Sequence, residues 1–488
     1  MTRAKTLYYW FLGFVFALAI FLRVLVFSYR DSFEDDECRL LSAILDKSWL
    51  QMFLRLDDAQ SAPPLFIIFE RIWGCILGFG ARSLKLIPLL SSIVSIVLFY
   101  KLSLKSLNRK YTILIANVML AINIKLLYFS SVIKQYSNDV LFALICCLVF
   151  YKLDIMELSR RKLFFLSVFI CVLPLISLPT LFFIASFLIM NLIKHKDNKP
   201  FYMRLLGLIA PGLITLGLYY CYNLLPSRLL LEEYFPNYWD SGLIGLSWVG
   251  FIKAQISLFK YLFLPNTYYL VAIPLFYIGV YFAYKENLQI HKYVLYVLVL
   301  VLLASVLKFY PIAGRVALYL VPFLILFFLK PLDSFDLKNL KYYVFLLCFL
   351  LVFGKYNFSF GKMLVKEQAY IDYSPKVLMQ TLIKNYNPNT DVVLCNSASS
   401  ASYVFYSRYL NFDNEEVYEL PFYGEMNEEE IFEVLNSYKS EKRYWFYLIK
   451  DYSAYEKFPA ILKWAKSQQI IFEQKDRDSY LILVKKLK

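Results

Sequence analysis

Residues 7–37 read LYYWFLGFVFALAIFLRVLVFSYRDSFEDDE, an apolar run that ends near residue 28 and is followed by four consecutive carboxylates at residues 34–37. An apolar run of about 20 residues crosses the bilayer as a helix. Four acids cannot extend that helix, so they mark the place where the chain leaves the membrane. They form either a solvated helix N-terminus, stabilised by the helix dipole, or a general base beside the membrane.

The composition of the whole chain is typical of a membrane protein with many spans. Its 488 residues are 59% hydrophobic and 19% aromatic, and its mean hydropathy is +0.53, whereas a soluble domain is about half apolar. Repeated long apolar runs predict helices rather than a β-barrel, which shows short alternating segments. The net charge of +15 lies largely in short loops between these runs, which indicates membrane orientation rather than nucleic-acid binding.

Basic loops set the predicted topology. The basic residues before the first span place the N-terminus in the cytoplasm, and the acids are then outside. All later basic loops fall inside only if residues 63–80 form a helix along the outer membrane surface. After the span at 7–28, the predicted spans are residues 84–104, 111–130, 137–156, 163–178, 180–194, 201–222, 268–284, 293–308, 314–329 and 341–354. The fold class is therefore a polytopic α-helical membrane protein with about eleven spans, and with outer interfacial helices also at residues 39–56 and 248–263.

Residues 355–488 have the alternation of polar and apolar segments that is typical of a soluble α/β domain. Strands are predicted at residues 391–395, 443–449 and 479–484, and helices at residues 427–438 and 455–467. Asn427, with Glu430 three residues later, predicts a capping box at the start of one helix. We therefore expect a transmembrane domain over residues 1–354, with an outer loop at 29–83, and an extracytoplasmic C-terminal α/β domain over residues 355–488.

Three further polar segments lie on the predicted outer side, at residues 57–64, 130–139 and 308–315. They carry the candidate side chains Asp58, Gln60, Ser61, Lys134, Gln135, Tyr136, Tyr310 and Arg315. Each segment also has an ordinary interpretation, as a Pro-Pro turn, a snorkelling lysine and an interfacial arginine, respectively. Lysine and arginine at a membrane surface suit phosphate binding, and arginine can bind it with two parallel hydrogen bonds.

The order of these motifs resembles that of the polytopic GT-C glycosyltransferases, in the branch of the protein O-mannosyltransferases and lipid A aminoarabinose transferases. Asp36-Glu37 is similar to the Asp-Glu pair that follows the first span in that family. Residues 62–66, with the sequence APPLF, and the Gly-Phe-Gly at 78–80 resemble its HPPLYY…LFG stretch. The resemblance extends over roughly residues 1–330.

Two later motifs belong to the same resemblance. Residues 130–137 resemble the SQEVKQYS stretch of the family, and residues 310–322 resemble its late YP…R…P element. The family often has Glu or His before Pro-Pro, where this chain has Ser61-Ala62, and Glu before the lysine motif, where it has Val132. These acids contact metal or substrate in relatives, so the departures weigh against a bound divalent metal, and no other cofactor is implied.

The resemblance implies transfer of a sugar, a hexose or pentose, from a polyprenyl-phosphate carrier to an acceptor hydroxyl at the outer membrane face, with inversion at the anomeric carbon. The implied site residues are the base Asp36 with Asp35 and Glu37 beside it, the donor phosphate-binding Lys134, Arg315 and Tyr136, and the pocket residues Asp58, Gln60, Ser61, Gln135 and Tyr310. The acceptor is a glycan, a lipid or a protein. Short loops and compact size favour a bacterial inner membrane.

Two other functions remain open at this point: a flippase or transporter of lipid-linked glycans, and a glycan polymerase. Transporters place charges near the bilayer midplane on broken helices. Lys125, inside the predicted span 111–130, is the one feature of that kind. The gathering of charges at the outer surface and the sizeable outer domain favour the transferase.

Overall fold

The structure is a computed structural model that describes residues 3–57, 60–234, 243–245, 247–262, 269–312, 314–334, 375–397, 399–412, 417–420, 426–439, 441–449, 457–476 and 479–487. The chain divides into two compact units. Met1–Tyr29 and Lys47–Gln368 form the first, here called the membrane unit, and Arg30–Asp46 and Ala369–Lys488 form the second, here called the α/β unit. The span predicted at residues 341–354, with the domain boundary at its end, lies outside the described residues.

The α-helices are numbered in chain order. They are α1 (Arg3–Tyr29), α2 (Asp35–Asp46), α3 (Pro64–Leu77), α4 (Ala81–Leu84), α5 (Leu86–Ser106), α6 (Lys110–Ala121), α7 (Ile124–Phe129), α8 (Tyr136–Phe150), α9 (Arg160–Ile176), α10 (Thr180–Lys194), α11 (Lys199–Tyr219), α12 (Leu225–Tyr234), α13 (Trp248–Leu262), α14 (Tyr269–Glu286), α15 (Gln289–Val306), α16 (Val321–Ser334), α17 (Pro375–Asn385), α18 (Ser400–Tyr409), α19 (Glu428–Ser437) and α20 (Lys457–Ser467). Short 3₁₀ turns occur at Gln51–Phe53, Ile155–Glu157 and Gly314–Leu320, and a π turn at Tyr220–Leu224. The strands are β1 (Asp391–Cys395), β2 (Val417–Glu419), β3 (Arg443–Ile449), β4 (Gln469–Asp476) and β5 (Ser479–Lys485).

The described part of the membrane unit is helical, and several of its helices are long and apolar enough to cross a bilayer. By length and composition these are Thr6–Tyr29, Ala81–Ser106, Lys199–Glu233, Gln289–Val306 and Gly314–Ser334, and shorter apolar helices are Lys110–Ala121, Tyr136–Phe150 and Thr180–Lys194. The apolar window of Gly314–Ser334 is 94% buried within the protein, whereas that of Lys199–Glu233 is 17% buried. The first is therefore a core helix. The second leaves apolar side chains such as Met203 and Ile214 exposed, as expected for a helix that faces hydrocarbon.

The span predicted as continuous over residues 111–130 is two helices, and this prediction is corrected. Helix α6 ends at Ala121, and Asn123 then caps α7 by accepting the N–H of Leu126 at 3.0 Å on its side-chain oxygen. Asparagine favours this capping position because its side chain satisfies a backbone N–H that the helix leaves without an acceptor. Lys125 therefore lies in the first turn of a new helix, where its ammonium is 4.4 Å from the ring centroid of Tyr261.

The surface helix predicted at residues 39–56 is also corrected. Helix α2 begins four residues earlier, at the acids themselves, and ends at Asp46. Beyond it, Ser48 N–H donates to the Gln51 side-chain oxygen at 2.9 Å, and Gln51 N–H donates to the Ser48 hydroxyl at 3.4 Å. Such local side-chain bonds compete with helical ones, and only the short turn Gln51–Phe53 follows.

Two other predicted surface helices are present. Residues 63–80 contain α3, which starts at Pro64, where proline lacks only an N–H that would have no helical acceptor. It ends at Gly78, whose φ of 88° is a conformation that glycine adopts without strain. Helix α13 matches the amphipathic stretch predicted at residues 248–263. Their position along the outer membrane surface stays a prediction.

The α/β unit is built on a five-stranded mixed sheet in the order β2-β1-β3-β5-β4. Strand β1 pairs in parallel with β2 and β3, and β5 pairs antiparallel with β3 and β4. The central strand β3 is buried from Tyr444 to Ile449, as expected for a strand covered on both faces. Its residue Phe446 packs with Trp464 of α20, so the core joins the sheet to a helix.

The predicted elements of the α/β unit are confirmed where the structure describes them. Strands β1 and β3 have the predicted bounds, and β5 extends one residue further than predicted. The capping box is present, because Asn427 accepts the N–H of Glu430 at 3.0 Å and Glu430 accepts the N–H of Asn427 at 2.9 Å. Strands β2 and β4 and helices α17 and α18 were not predicted.

Candidate functional site

Asp35, Asp36 and Glu37 form the first turn of α2, within the α/β unit. Acids are stabilised there because the N-terminus of a helix carries partial positive charge. Glu37 is fully buried, and its side-chain oxygen accepts the N–H of Glu34 at 2.9 Å. This is the reciprocal half of a capping box, so Glu37 fixes the start of the helix.

Asp35 is held from two sides. Its Oδ1 accepts the N–H of Ser402 at 3.0 Å, and its Oδ2 accepts Nε of Arg39 at 2.9 Å. The residue is only 8% exposed, and burial raises the pKa of Asp35 to about 6 from an ordinary 3.8, although Arg39 acts in the opposite direction. Asp35 is therefore a buried carboxylate within a fixed set of partners.

Asp36 differs from its two neighbours because it is only half-buried. It occupies the middle of a turn whose other two carboxylates are buried. A general base must reach the proton that it abstracts. Of the three acids, Asp36 is the most exposed.

The cation motif of residues 130–139 lies in the membrane unit. Residues 130–135, here called the cation turn, connect α7 to α8, and residues 136–139 form the first turn of α8. Ser130, Ser131 and Lys134 are buried. The ammonium of Lys134 donates to the Gln60 side-chain oxygen at 2.5 Å. The neighbouring Gln135 amide donates to the backbone oxygen of Ser61 at 3.3 Å. The segments at residues 57–64 and 130–139 are therefore in direct contact within the membrane unit. The sequence indicated only that both lie on the outer side of the membrane.

Arg315 and Tyr310 extend the same cluster. The guanidinium carbon of Arg315 is 5.7 Å from the ring centroid of Tyr136, a cation–π distance. The Tyr310 hydroxyl donates to the backbone oxygen of Val316 at 2.9 Å. Burial, and then the nearby Tyr319, Asp139 and Tyr136, raise the pKa of Tyr310 well above its ordinary value. Tyr310 is therefore a neutral hydrogen-bonding group.

The first turn of α8 adds a polar group that the sequence reasoning did not select. Asp139 is buried, and its Oδ1 accepts the Ser177 hydroxyl at 2.7 Å, while the adjacent Asn138 accepts the Ser91 hydroxyl at 2.5 Å. An acidic residue in the first turn of an apolar helix is visible in the sequence and indicates a functional or buried polar group. These bonds tie the cation turn to α5 and to the α9–α10 junction.

Asp58, predicted to line the pocket, lies outside the described residues. Within the described ranges, no group of three or more histidine, cysteine or acidic side chains is arranged to hold a metal ion.

The described residues combine a helical membrane unit with an α/β unit built on a mixed sheet. Among solved structures, the chain is similar to ArnT from Cupriavidus metallidurans in the apo state, with a TM-score of 0.53. The match covers 99% of this chain and 98% of that chain at 11% sequence identity. Identity at this level shows a shared fold.

Two further solved structures are similar. ArnT from Cupriavidus metallidurans bound to undecaprenyl phosphate matches 97% of this chain and 97% of its own at 12% identity, with a TM-score of 0.48. The Archaeoglobus fulgidus oligosaccharyltransferase in complex with Zn and sulfate matches 96% of this chain and 72% of its own at 13% identity, with a TM-score of 0.48. No protein-family model and no curated protein sequence matches the chain.

Proposed function

We propose that this protein transfers a sugar from a polyprenyl-phosphate carrier to an acceptor hydroxyl at the outer face of the membrane. The observation that carries the proposal is the first turn of α2, where Asp36 is half-buried between two buried carboxylates. The GT-C fold supports it. The acceptor is a glycan, a lipid or a protein.

In the proposed reaction, Asp36 takes the proton of the acceptor hydroxyl as its oxygen attacks the anomeric carbon. The bond from that carbon to the phosphate oxygen breaks, and the polyprenyl phosphate leaves with the electron pair. A single direct displacement inverts the anomeric configuration. Asp35 and Glu37 keep the turn in place, because each is already engaged by a backbone N–H.

The leaving phosphate needs positive charge, which we assign to Lys134 and Arg315. Fixed donors that face developing negative charge contribute strongly to catalysis. Gln60 holds the Lys134 ammonium, and Tyr136 lies under the Arg315 guanidinium. The pocket around them is assigned to Gln60, Ser61, Gln135 and Tyr310. No step of this reaction requires a metal ion.

The proposed orientation follows the basic loops, with the N-terminus in the cytoplasm and the C-terminal α/β unit outside. We assign the protein to a bacterial inner membrane. Lys125 was the feature that favoured a transporter. Lys125 lies in the first turn of a capped helix, with its ammonium 4.4 Å from the ring centroid of Tyr261, so the transporter stays the alternative that the test must exclude.

The test is sugar transfer by purified protein in detergent, with labelled polyprenyl-phosphate sugars and a crude envelope fraction as acceptor. For Asp36→Asn we expect turnover to fall by roughly 10²- to 10⁴-fold, the usual contribution of a general base. Asp31→Asn is the matched control, because Asp31 precedes α2 and pairs with Lys376 at 3.5 Å.

Near-normal transfer by a folded Asp36→Asn protein would remove Asp36 as the base. Absence of transfer by a wild-type protein that still binds the carrier lipids would favour the flippase. Joining of whole lipid-linked repeat units, in place of single sugars, would favour the polymerase.

A further inference from the structure

Residues 33–35, at the start of α2, contact residues that lie far away in the sequence. Phe33 N–H donates to the Tyr406 hydroxyl at 2.6 Å, and the rings of Phe33 and Phe405 lie edge to face with centroids 5.2 Å apart. Ser402 N–H donates to Asp35 at 3.0 Å. These partners all belong to α18, which is more than 350 residues away in sequence.

The contacts continue along α2. The Arg39 guanidinium donates to the backbone oxygen of Ser397 at 2.5 Å, just before α18. At the other end of α2, Arg408 donates to both carboxylate oxygens of Asp46 at 3.1 Å. Helix α2 is therefore fixed to α18 at its start, in its first turns and at its end.

The chemistry of the contacts explains how orientation is set. A hydrogen bond to the Phe33 backbone fixes the residue before the N-terminal turn, and a bond to Asp35 fixes the turn itself. Asp36 and Glu37 follow directly, so the direction of their carboxylates depends on these two bonds. A displacement of about 1 Å at a reacting group costs roughly 100-fold in rate.

We propose that α18 positions the acidic turn of α2 within the α/β unit, with the Tyr406 hydroxyl and the Ser402 N–H as its positioning groups. This inference rests on the proposed function, because it gives the C-terminal unit a role in aiming Asp36. Tyr406 is a positioning residue, since it acts on Asp36 only through the backbone of Phe33. The Ser402 N–H acts through Asp35, the residue directly before Asp36.

The test is Tyr406→Phe in the full-length protein, with Tyr444→Phe as the matched control. Both tyrosines are buried in the same unit, and the Tyr444 hydroxyl donates to the backbone oxygen of Lys439 at 2.8 Å, away from α2. Two quantities are measured: hydrogen exchange of the peptide covering residues 30–46, and the turnover and donor KM of sugar transfer.

For Tyr406→Phe we expect exchange in residues 30–46 to accelerate roughly five-fold and turnover to fall by a similar factor, the size of one net hydrogen bond. Donor KM should not change, because the hydroxyl does not contact the donor. Tyr444→Phe should change neither quantity. Unchanged exchange, or faster exchange with unchanged turnover, would overturn the positioning role.

A milder pair of variants protects the test against misfolding. Arg408 and Asp46 are both largely exposed, so Arg408→Glu should fold and lower turnover by about two-fold. The double variant Arg408→Glu with Asp46→Arg should restore it, and failure of this rescue would count against the docking. Absence of transfer by the wild type is a different result, because it removes the proposed function, whereas the exchange measurement still decides whether α18 holds α2.

Discussion

The acidic turn at residues 35–37 and the cation turn at residues 130–135 are both short, polar and buried, but they are stabilised differently. The acids receive backbone N–H groups and lie at a helix N-terminus. The cation Lys134 is held by the side-chain oxygen of Gln60. Carboxylates can be held by the regular backbone of a helix, whereas a buried ammonium needs a dedicated acceptor, because it has three donors and no acceptor of its own.

The two turns also differ in how far along the chain their partners lie. Lys134 contacts a residue 74 positions away, in a motif that the sequence had already placed on the same side of the membrane. Asp35 contacts Ser402, 367 positions away, in a helix that was not predicted. We therefore expect substitutions in the acidic turn to affect the stability of the α/β unit. Substitutions in the cation turn should affect donor binding alone.

The largest effect expected on stability tests the burial of Asp35. Its folded pKa of about 6 lies above the ordinary 3.8, so the folded protein binds this proton more tightly than the unfolded chain. The free energy of unfolding then falls as the pH rises from about 4 to above 6, by roughly 2 to 3 kcal/mol. The unfolding free energy of Asp35→Asn should not show this fall. The difference in unfolding free energy between the wild type and the variant should therefore decrease by the same amount as the pH rises.

Denaturant unfolding at pH 4 and pH 7 checks this prediction, followed by the fluorescence of the buried Trp445 and Trp464 in the same unit. Asp31→Asn is the control, because the Asp31 side chain is 47% exposed. A stability difference between wild type and Asp35→Asn that does not change with pH would contradict the burial of a charged Asp35.

A smaller effect is expected at the cation turn. Lys134→Ala should lower kcat/KM for the lipid-linked donor by roughly 30-fold, about 2 kcal/mol, which is typical of a hydrogen bond to a charged group. Unfolding of the α/β unit should be unaffected. Lys125→Ala is the matched control, because its ammonium lies against the Tyr261 ring.

The phosphate assignment for Lys134 is wrong if donor KM and turnover of Lys134→Ala both equal those of the wild type. Arg315→Lys sharpens the result. It keeps the charge but loses the planar guanidinium beside Tyr136, so donor use should still fall.

The smallest expected effect concerns Gln60. Gln60→Leu removes one acceptor of the Lys134 ammonium and should lower donor use about five-fold, close to 1 kcal/mol. In a Lys134→Ala background, Gln60→Leu should have no further effect, because the two side chains act as a pair. Additive losses in this double-mutant cycle would mean that Gln60 contacts the substrate independently of Lys134.

The sequence by itself determined the elements that depend on local pattern. Long apolar runs specify the spans because hydrocarbon accepts only helices whose backbone is internally bonded, and Asn427 with Glu430 specified a helix start through bonds three residues apart. The acids after the first span and the polar motifs that follow were likewise visible as candidates. The break at Asn123 was a local signal that the long apolar run obscured.

Only the tertiary structure decided which candidates are engaged and by what. It placed α2 with α18, made Asp35 and Glu37 structural partners of backbone N–H groups, left Asp36 half-buried, and brought Gln60 to Lys134. The physical reason is that burial and hydrogen bonding between distant segments depend on how helices and strands pack. A pattern with a period of two or four residues carries no information about partners hundreds of positions away.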